Sequence, residues 1–458
     1  MQDMLGRNAG EIHSSISKFE RMLKTKLVYY FDPQEFEDIV VHYLGFGENQ
    51  LAKKALNMGL EQHPSSIVLM LLQSEILILD EKYDLANNLL DHIEKSNPYD
   101  EEISLQRASI ASKKGEHKLS IKYLHQALNF SDDPDEIWNL LGMEHLLAEE
   151  YENASYFFKN CLGNNHEDFP SLYNLLFCYE QLNQIEPAIS TLNDILENNP
   201  YCEVAWHQLG KIYSKIGKTK EAISALEFAI ICDDSFTSAY IEKGKLLEKE
   251  GKINEALDNY NLALNSNEPS AFVYNCIGRC HESLGNYHLT NHFYLKSVQL
   301  EPNNEKCWKS IISFMINQNN FDKAEYYLKT AIDANSDAID LWKTSIDFYI
   351  TTGKKEDAIL SYEKLFQLDF CSPVIVIRLV DYLIENKSWK SAYNILKDAF
   401  KILKDNRDIE LRVAGCYFQL GKIKEGKHLL NFKELNSNRK NQFDKLFPDF
   451  RGHSSSID

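Results

Sequence analysis

Two short segments carry side chains that could bind a metal ion. Cys276 and Cys280 are four residues apart with His281 directly after them, and His288 and His292 have the same spacing. Such a spacing places two side chains on one face of a helix. No second ligand pair follows the cysteines at a zinc spacing, and the histidines lack the glutamate of an HExxH motif. The sequence therefore favours buried thiols and surface histidines over a metal centre.

Other signatures of catalysis are also missing from the sequence. No GxxxxGK[ST], GxGxxG or GxSxG motif occurs in the strand-to-helix context that phosphate binding or an activated serine requires. Paired carboxylates are numerous, as expected on the solvated faces of an acidic helical protein. We therefore predict that the chain is not an enzyme and that it uses no cofactor and no metal.

The composition narrows the class of protein further. The chain has 458 residues, 44% hydrophobic and 26% charged, which is typical of an ordered protein. Its formal net charge of −19 disfavours nucleic acid or a membrane surface as the main partner. Nine scattered cysteines, no apparent secretory signal and no apolar stretch of about 20 residues favour the cytoplasm. The frequent Lys, Asn and Ile residues favour a bacterial source.

A period of 34 residues organises most of the chain. Trp138, Trp206, Trp308 and Trp342 are separated by multiples of 34 residues. When each period is numbered from Pro33, these tryptophans occupy position 4, and the phase continues without insertion to residue 440. Self-similarity at such a period indicates a repeat protein. The twelve predicted repeats start at residues 33, 67, 101, 135, 169, 203, 237, 271, 305, 339, 373 and 407.

Positions in the middle and second half of each period indicate a pair of helices. Position 20 is small in all twelve periods and position 24 is large, an alternation that interdigitating helices require. Position 15 is glycine in seven periods. Glycine is favoured there because a helix often ends in a residue of left-handed conformation, which a Cβ atom makes costly. Proline at position 32 of four periods closes the second helix. Each period is therefore predicted to be a helix, a turn and a second helix.

The repeat that starts at Glu203 carries nearly the whole motif W-x2-L-G-x2-Y followed by A-x3-F, with Leu226 in place of the final phenylalanine. With this motif the chain resembles the tetratricopeptide repeat family over residues 33–440. The resemblance implies an all-α fold, an α-solenoid in which antiparallel helix pairs stack into a right-handed superhelix. The last repeat departs from the pattern at Glu410 and Lys433, as expected of a terminal repeat that meets solvent. The motif residues are Trp206, Leu209, Gly210, Tyr213, Gly217, Ala222, Leu226 and Ala229.

The segments outside the repeats, 1–32 and 441–458, are predicted to be caps. Residues 1–32 contain apolar residues at helical spacing, which predicts an amphipathic capping helix. Residues 441–458 are predicted to form a shorter cap and then a flexible tail. The apolar residues concerned are Ile16, Phe19, Met22, Leu23 and Leu27 in the first segment, and Phe443, Leu446 and Phe447 in the second.

The resemblance also implies where a ligand binds. In this family the first helices line the concave face of the superhelix, and positions 2, 5, 9 and 12 contact bound peptides. These positions, which we call the ligand face, point roughly 130° away from the core positions 4, 7, 8 and 11. Along this face a basic run consists of Lys211, Lys245 and Arg279 at position 9, and of His207, Asn275, Lys309 and Lys343 at position 5.

Immediately before the basic run, the ligand face offers apolar anchors and an amide that can hold a peptide backbone. We therefore expect an extended ligand with hydrophobic and acidic parts. An alternative interpretation is that the cations neutralise neighbouring carboxylates and that the aromatic residues pack between repeats. The anchor and amide residues are Asn139, Met143, Tyr173 and Phe177.

Both ends of the ligand face are predicted to be apolar. Exposed patches of this kind rarely stay bare, so the flanking segments, a second protomer or a partner would cover them. A homo-oligomer formed through these ends is therefore possible. The residues are Val41, Leu44, Val68, Leu71 and Ile78 at one end, and Val374, Ile377, Ile384, Leu411 and Phe418 at the other.

Together these patterns predict a non-enzymatic scaffold or adaptor that binds an extended peptide or a partner protein. One alternative is a regulatory subunit of an enzyme complex, which a co-purifying activity would reveal. A second is nucleic-acid binding through the basic run, which a steep loss of affinity with salt would reveal. The interspersed carboxylates and the few aromatic residues on this face disfavour nucleic acid.

Overall fold

The computed structural model describes residues 9–25, 28–266, 270–403, 406–429 and 437–450. Over these residues the chain forms 26 α-helices and one short 3-10 helix, with no strand. The predicted all-α fold class is therefore confirmed. The helices group into two units, Met1–Ile212 (unit 1) and Tyr213–Asp458 (unit 2). None of the described helices combines the length and the apolar character needed to cross a bilayer.

Unit 1 contains the first eleven helices. They are α1 (Ala9–Thr25), α2 (Pro33–Gly45), α3 (Asn49–Gln62), α4 (Ile67–Leu79), α5 (Tyr83–Ser96), α6 (Glu101–Lys113), α7 (His117–Leu128), α8 (Asp135–Leu147), α9 (Tyr151–Asn164), α10 (Phe169–Gln181) and α11 (Ile185–Asn198). The division between the units falls within α12 (Glu203–Lys215).

Unit 2 contains the remaining helices. They are α13 (Thr219–Cys232), α14 (Thr237–Lys249), α15 (Ile253–Ser266), α16 (Ala271–Ser283), α17 (Tyr287–Leu300), α18 (Glu305–Asn317), α19 (Phe321–Ala334), α20 (Ile339–Thr352), α21 (Lys355–Gln367), α22 (Pro373–Glu385), α23 (Trp389–Ile402), α24 (Arg407–Gln419), α25 (Ile423–Leu429), α26 (Ser437–Leu446) and the 3-10 turn Pro448–Phe450.

The helices follow the 34-residue period. Each even-numbered helix from α2 to α24 begins at position 1 of a period, and the next helix begins at position 17. The two helices of such a pair pack against each other, as α6 does with α7 and α16 with α17. The sequence pattern therefore correctly predicted an array of helix pairs.

The turn between the two helices of a pair has the same backbone conformation in all twelve described pairs. Seven of these turns have the predicted glycine at position 15, with φ between 73 and 79°. The other five have a non-glycine residue with φ between 54 and 61°, a conformation in which a Cβ atom costs about 1–2 kcal/mol. A left-handed residue is thus required at this position whatever its type. The five residues are Glu81, Glu149, Asn183, Asn319 and Lys387.

Small and large residues interlock inside each pair. At position 8, a Cβ atom added to Gly244 would lie 2.6 Å from the Tyr260 ring, and one added to Gly278 would lie 2.5 Å from the Tyr294 ring. Both rings, at position 24, are fully buried. The glycines are therefore needed for close packing of the two helices.

The tryptophans at position 4 do more than fill the core. In three of them the indole Nε1 donates a hydrogen bond to the backbone carbonyl oxygen six residues earlier, in the connection from the preceding pair. The donor–acceptor distances are 2.9 Å for Trp206, 2.7 Å for Trp308 and 2.7 Å for Trp342. This bond satisfies a backbone carbonyl of the connection, which lies just beyond the end of the preceding helix.

The flanking segments pack on the array at both ends. In α1, Ile16, Phe19 and Met22 are buried against residues of α2, whereas Leu27 lies outside the described residues. At the other end, Phe443 and Phe447 of α26 are buried. Helix α26 begins inside the last predicted repeat, three residues before its predicted end at residue 440. Lys433 and the predicted tail from Gly452 lie outside the described residues.

Candidate functional site

The predicted ligand-face residues lie on seven first helices. In unit 1, Asn139 and Met143 are on α8, Tyr173 and Phe177 on α10, and His207 and Lys211 on α12. In unit 2, Lys245 is on α14, Asn275 and Arg279 on α16, Lys309 on α18 and Lys343 on α20.

The apolar anchors of unit 1 reach solvent. Met143 is 37% exposed, Tyr173 46% and Phe177 43%, although all three are large and apolar or aromatic. Polar contacts connect α8 to α10: Asn139 Nδ2 donates to Ser171 Oγ at 3.0 Å, and Asn174 Nδ2 donates to Met143 Sδ at 3.4 Å. The two helices thus present one continuous surface.

The two position-5 residues His207 and Asn275 are buried, in contrast to the anchors. Asn275 Oδ1 accepts a hydrogen bond from Ser310 Oγ of the next first helix at 3.2 Å. Its Nδ2 has no hydrogen-bond partner within the part of the chain that the structure describes. At Asn275, position 5 therefore faces the neighbouring first helix, whereas Tyr173 at the same position of its repeat is exposed.

The cations of the basic run differ in how they are paired. Arg279 makes a two-pronged contact with Glu248, with Nε–Oε1 and Nη2–Oε2 distances of 3.0 and 2.8 Å. Burial opposes the charge of Arg279, but the hydrogen bonds to Glu248 and the charge interactions with Cys276, Glu248 and Tyr260 together outweigh it and raise the pKa of the guanidinium. Lys245 Nζ is 2.8 Å from Glu242 Oε1 and 4.9 Å from the Phe272 ring. Lys245 and Arg279 thus neutralise neighbouring carboxylates, as the alternative interpretation of the sequence expects.

Lys309 and Lys343 instead share a single carboxylate. Their Nζ atoms lie 3.9 and 3.0 Å from the carboxylate oxygens of Asp340. The hydrogen bond from Lys343 is the main reason that the pKa of Asp340 is lowered. These three residues line a cavity of about 370 Å³ between α18 and α20, together with the hydroxyl-bearing Ser313 and Thr344.

Lys211 on α12 has a different environment. Its side chain is exposed, and no ion pair of Lys211 occurs among the described residues. Lys211 therefore differs from Lys245 and Arg279, which have carboxylate partners.

Two ion pairs on this face were not predicted. Arg378 Nη1 lies 2.8 Å from Asp347 Oδ1, and Arg412 binds both oxygens of Asp381 at 2.6 and 2.7 Å. In both pairs the arginine follows the acid by 31 residues, as Arg279 follows Glu248. This separation is one period minus one helical turn, so it joins neighbouring first helices. A search for opposite charges at that separation would have found all three.

The predicted apolar ends are only partly exposed. Val41, Val68 and Val374 are exposed and Leu44, Leu71 and Ile377 partly so, whereas Ile78, Ile384, Leu411 and Phe418 are buried. At the carboxyl end the trailing segment explains this burial. The Phe418 ring centroid lies 6.1 Å from that of Phe443 and 5.6 Å from that of Phe450.

The cysteines considered as metal ligands are core residues. Cys276 and Cys280 are fully buried in α16, and burial raises the pKa of Cys276 to about 11 and that of Cys280 to about 12. Both thiols are therefore protonated at neutral pH and poor ligands or nucleophiles. His288 and His292 are exposed on α17, as the sequence predicted.

Comparison with known proteins identifies the repeats. The family model described as "Tetratricopeptide repeat" matches residues 169–202, 204–230 and 237–269. The chain thus carries tetratricopeptide repeats, as its sequence motif indicated. No curated protein matches the sequence.

Several solved structures are similar to the chain. The APC/C hetero-tetramer Cut9-Hcn1 is 14% identical, with 89% of this chain and 94% of that chain covered and a TM-score of 0.37. Naa15/Naa10 bound to HypK-THB is 15% identical, with 92% and 64% covered and a TM-score of 0.36. YrrB, described as a TPR protein with an unusual peptide-binding site, is 16% identical, with 39% and 91% covered and a TM-score of 0.31.

Proposed function

For a chain that carries tetratricopeptide repeats in an array of helix pairs, we propose the function of a non-enzymatic protein-interaction scaffold. An extended peptide segment of a partner protein binds on the ligand face. The observation that carries this proposal is the exposure of Met143, Tyr173 and Phe177 on the neighbouring helices α8 and α10. Burial of such side chains by a ligand releases about 25 cal/mol per Å² of apolar surface.

Acidic groups of the ligand are recognised by the cations that the chain itself does not fully neutralise. These are Lys211, which is exposed, and the Lys309–Lys343 pair, which carries two positive charges against the one negative charge of Asp340. A carboxylate of the ligand that enters the cavity between α18 and α20 meets these two ammonium groups, while the second lining carboxylate, Asp347, is paired with Arg378. Lys245 and Arg279 are weaker candidates because they already have carboxylate partners.

The buried residues of the predicted site have a supporting role in this proposal. Asn275 joins α16 to α18 through Ser310, and Asn139 joins α8 to α10 through Ser171. His207 is buried and is assigned the same role, to hold the first helices at a fixed spacing. The ligand then contacts the exposed side chains at positions 5 and 9.

A reducing, cytoplasmic environment is also part of the proposal. Seven of the nine cysteines are buried as free thiols. Buried protonated thiols are inert packing residues, so they supply no catalytic nucleophile.

Photo-crosslinking tests the proposed site directly. A photoreactive amino acid is placed at Phe177 in the full chain, and a matched control chain carries it at Tyr156, an exposed aromatic residue on the second helix α9. In native lysate we expect a partner to crosslink at 177 and not at 156. The double substitution Tyr173→Ser/Phe177→Ser should abolish its binding, whereas Tyr156→Ser should not. Crosslinks that form only from position 156 would show that the ligand face is not the site.

The charge preference is tested with the captured partner. We expect Lys309→Glu/Lys343→Glu to weaken binding more than Lys245→Glu/Arg279→Glu, after folding of both variants is confirmed by circular dichroism. If both double variants weaken binding equally, the sharing of Asp340 by Lys309 and Lys343 does not make them the preferred contacts of the ligand. A captured nucleic acid, or a captured enzyme whose activity depends on the chain, would favour one of the alternatives instead.

A further inference from the structure

A second concave site lies in unit 1, away from the ligand face. A cavity of about 330 Å³ is enclosed by α1, the end of α2 and the start of α3. The turn between α2 and α3 shapes one wall, because Gly47 adopts a φ of 73° and reverses the chain. The backbone N–H of Glu48 then donates to the Tyr43 carbonyl oxygen at 2.8 Å. Phe46 and Glu48, on either side of Gly47 in the sequence, both line the cavity.

The aromatic wall of this cavity is unusually open. Phe46 is 74% exposed, a high value for a phenylalanine in an ordered turn. It is held by the ring of His42, whose centroid is 4.7 Å away, and His42 is in turn 5.4 Å from Tyr43. Three rings thus line the cavity, and Phe46 stays accessible to solvent.

The cavity also has an acidic lining. Glu20 of α1 and Glu48 both line it. Burial is the main reason that the pKa of Tyr43 is raised, and the charges of Glu20 and Glu48 raise it further, so both carboxylates act at the same ring. The only lining cation is Lys24, whose Nζ is 4.0 Å from Glu20 with both side chains well exposed. No ion pair of Glu48 is present over the described ranges, and the lining residues carry a net negative charge.

We propose that this cavity binds the side chain of an arginine that a partner protein presents. A guanidinium group is planar, so it stacks on an aromatic face, and its N–H groups match a carboxylate. Phe46 supplies the face, and Glu20 and Glu48 supply the carboxylates. The aliphatic stem of the arginine packs against Leu23 and Leu51, which also line the cavity. This site is separate from the ligand face and does not depend on the function proposed for it.

Methyl-labelled full-length chain provides the test. The methyl signals of Leu23 and Leu51 are followed by NMR during titration with N-acetyl-arginine amide, and in parallel with N-acetyl-citrulline amide, a neutral molecule of nearly the same shape. We expect the arginine derivative to shift both signals and the citrulline derivative to leave them in place. Glu20→Gln/Glu48→Gln should remove the response without altering methyl signals elsewhere in the chain. Lys24→Gln should tighten binding by about twofold to fivefold, since it removes a competing exposed cation.

Three results would overturn the proposal. Equal shifts with both probes would mean that the cavity retains small molecules by apolar contact alone. No shift with either probe would mean that it binds neither. Movement of the two methyl signals on Arg7→Gln in the free chain would mean that an arginine of this chain already occupies the cavity, so that no partner residue enters it.

Discussion

The ligand faces of the two units are built from helix pairs of the same kind, but they carry different side chains at the same repeat position. In unit 1, position 9 holds Met143 and Phe177, which remain exposed. In unit 2, position 9 holds Arg279, Asp347 and Asp381, and each is paired with an opposite charge on a neighbouring first helix. The same position therefore holds either an exposed apolar side chain or a charged side chain that links neighbouring repeats. In the charged links the opposite charge lies 31 positions away in the sequence.

The interiors of the two units differ in a related way. In unit 1, Phe158 packs over Gly142, where an added Cβ would lie 2.7 Å from the ring. In unit 2, Tyr260 packs over Gly244 in the same way, but its hydroxyl donates to Glu248 Oε2 at 3.0 Å. In unit 2, Glu248 thus accepts hydrogen bonds both from Arg279 on the ligand face and from Tyr260 in the core of the pair.

The largest effect should come from breaking the most buried link of unit 2. The Arg412 side chain is 3% exposed, so Asp381→Ala leaves a buried guanidinium without its carboxylate. We expect a loss of about 3–5 kcal/mol in the free energy of unfolding. Because repeat arrays unfold in parts, the measurement is hydrogen exchange of α22 and α24 in addition to the global transition.

Two controls sharpen this comparison. Asp347→Ala breaks a pair of the same spacing in which both side chains are half exposed, so it should cost less than about 1 kcal/mol. Met143→Ala on the ligand face of unit 1 should cost about 0.5 kcal/mol or less. If Asp381→Ala and Asp347→Ala cost the same, burial does not determine the strength of these links.

The next largest effect should come from exchanging the ring types at position 24, with Phe158→Tyr in unit 1 and Tyr260→Phe in unit 2. Phe158→Tyr buries a hydroxyl group in a pair whose position 12 is Leu146, so no carboxylate is present to accept its hydrogen bond. We expect a loss of about 1–3 kcal/mol, against about 1 kcal/mol for Tyr260→Phe, which removes one hydrogen bond. Urea denaturation of both variants measures the difference. Tyr294→Phe is the control for the second value, because its hydroxyl donates to Glu282 at 2.7 Å. A neutral Phe158→Tyr would show that the interiors are interchangeable.

The turns offer a way to stabilise unit 1 selectively. Glycine occupies two of its five left-handed turn positions, but five of the seven in unit 2. Glu149→Gly should therefore raise the stability of unit 1 by about 0.5–1 kcal/mol, because it removes the Cβ from a left-handed residue. Gly251→Ala should lower the stability of unit 2 by about 1 kcal/mol for the opposite reason. Glu149→Gln keeps the strain and removes the charge, so an equal gain from it would attribute the effect to charge.

The sequence predicted the fold well because the fold depends on spacing within each repeat. Glycine at position 15, small residues at position 20 and large ones at position 24 are all local signals, and the helices begin where these signals place them. The five turns without glycine show that the requirement at position 15 is for a backbone conformation and not for one residue type. A left-handed residue is needed, and glycine only makes it less costly.

The candidate site was harder to predict because it depends on contacts between repeats. The angle argument treats a first helix as having one buried side, but each first helix also has a first helix beside it. Position 5 lies on that flank, so Asn275 is buried against Ser310 although its helical angle points outward. The cavity beside Phe46 escaped prediction for a similar reason, since α1 lies outside the period and supplies one of its walls.

The smallest expected effect is a difference in the pH dependence of the two ligand faces. In unit 1, Glu102 at position 2 has a raised pKa, mainly through burial and also through the charges of Asp100 and other nearby acids. In unit 2, Asp340 at the same position has a lowered pKa, mainly through the hydrogen bond from Lys343. The two carboxyl groups therefore contribute to stability with opposite signs.

The sign of each pH dependence follows from the protonation state that the folded protein favours for that carboxyl group. Folded Glu102 prefers the proton, so the stability of wild type relative to Glu102→Gln should fall as the pH rises from about 4.3 through the folded pKa. Folded Asp340 prefers the charge, so its contribution is present above about pH 3.9 and is lost as the pH falls through the folded pKa. Each effect should be below about 1 kcal/mol, because Asp340 is half exposed and Glu102 only partly buried. Thermal unfolding of wild type, Glu102→Gln and Asp340→Asn across this range measures both. Parallel curves for the two variants would contradict the contrast between a desolvated face in unit 1 and a paired face in unit 2.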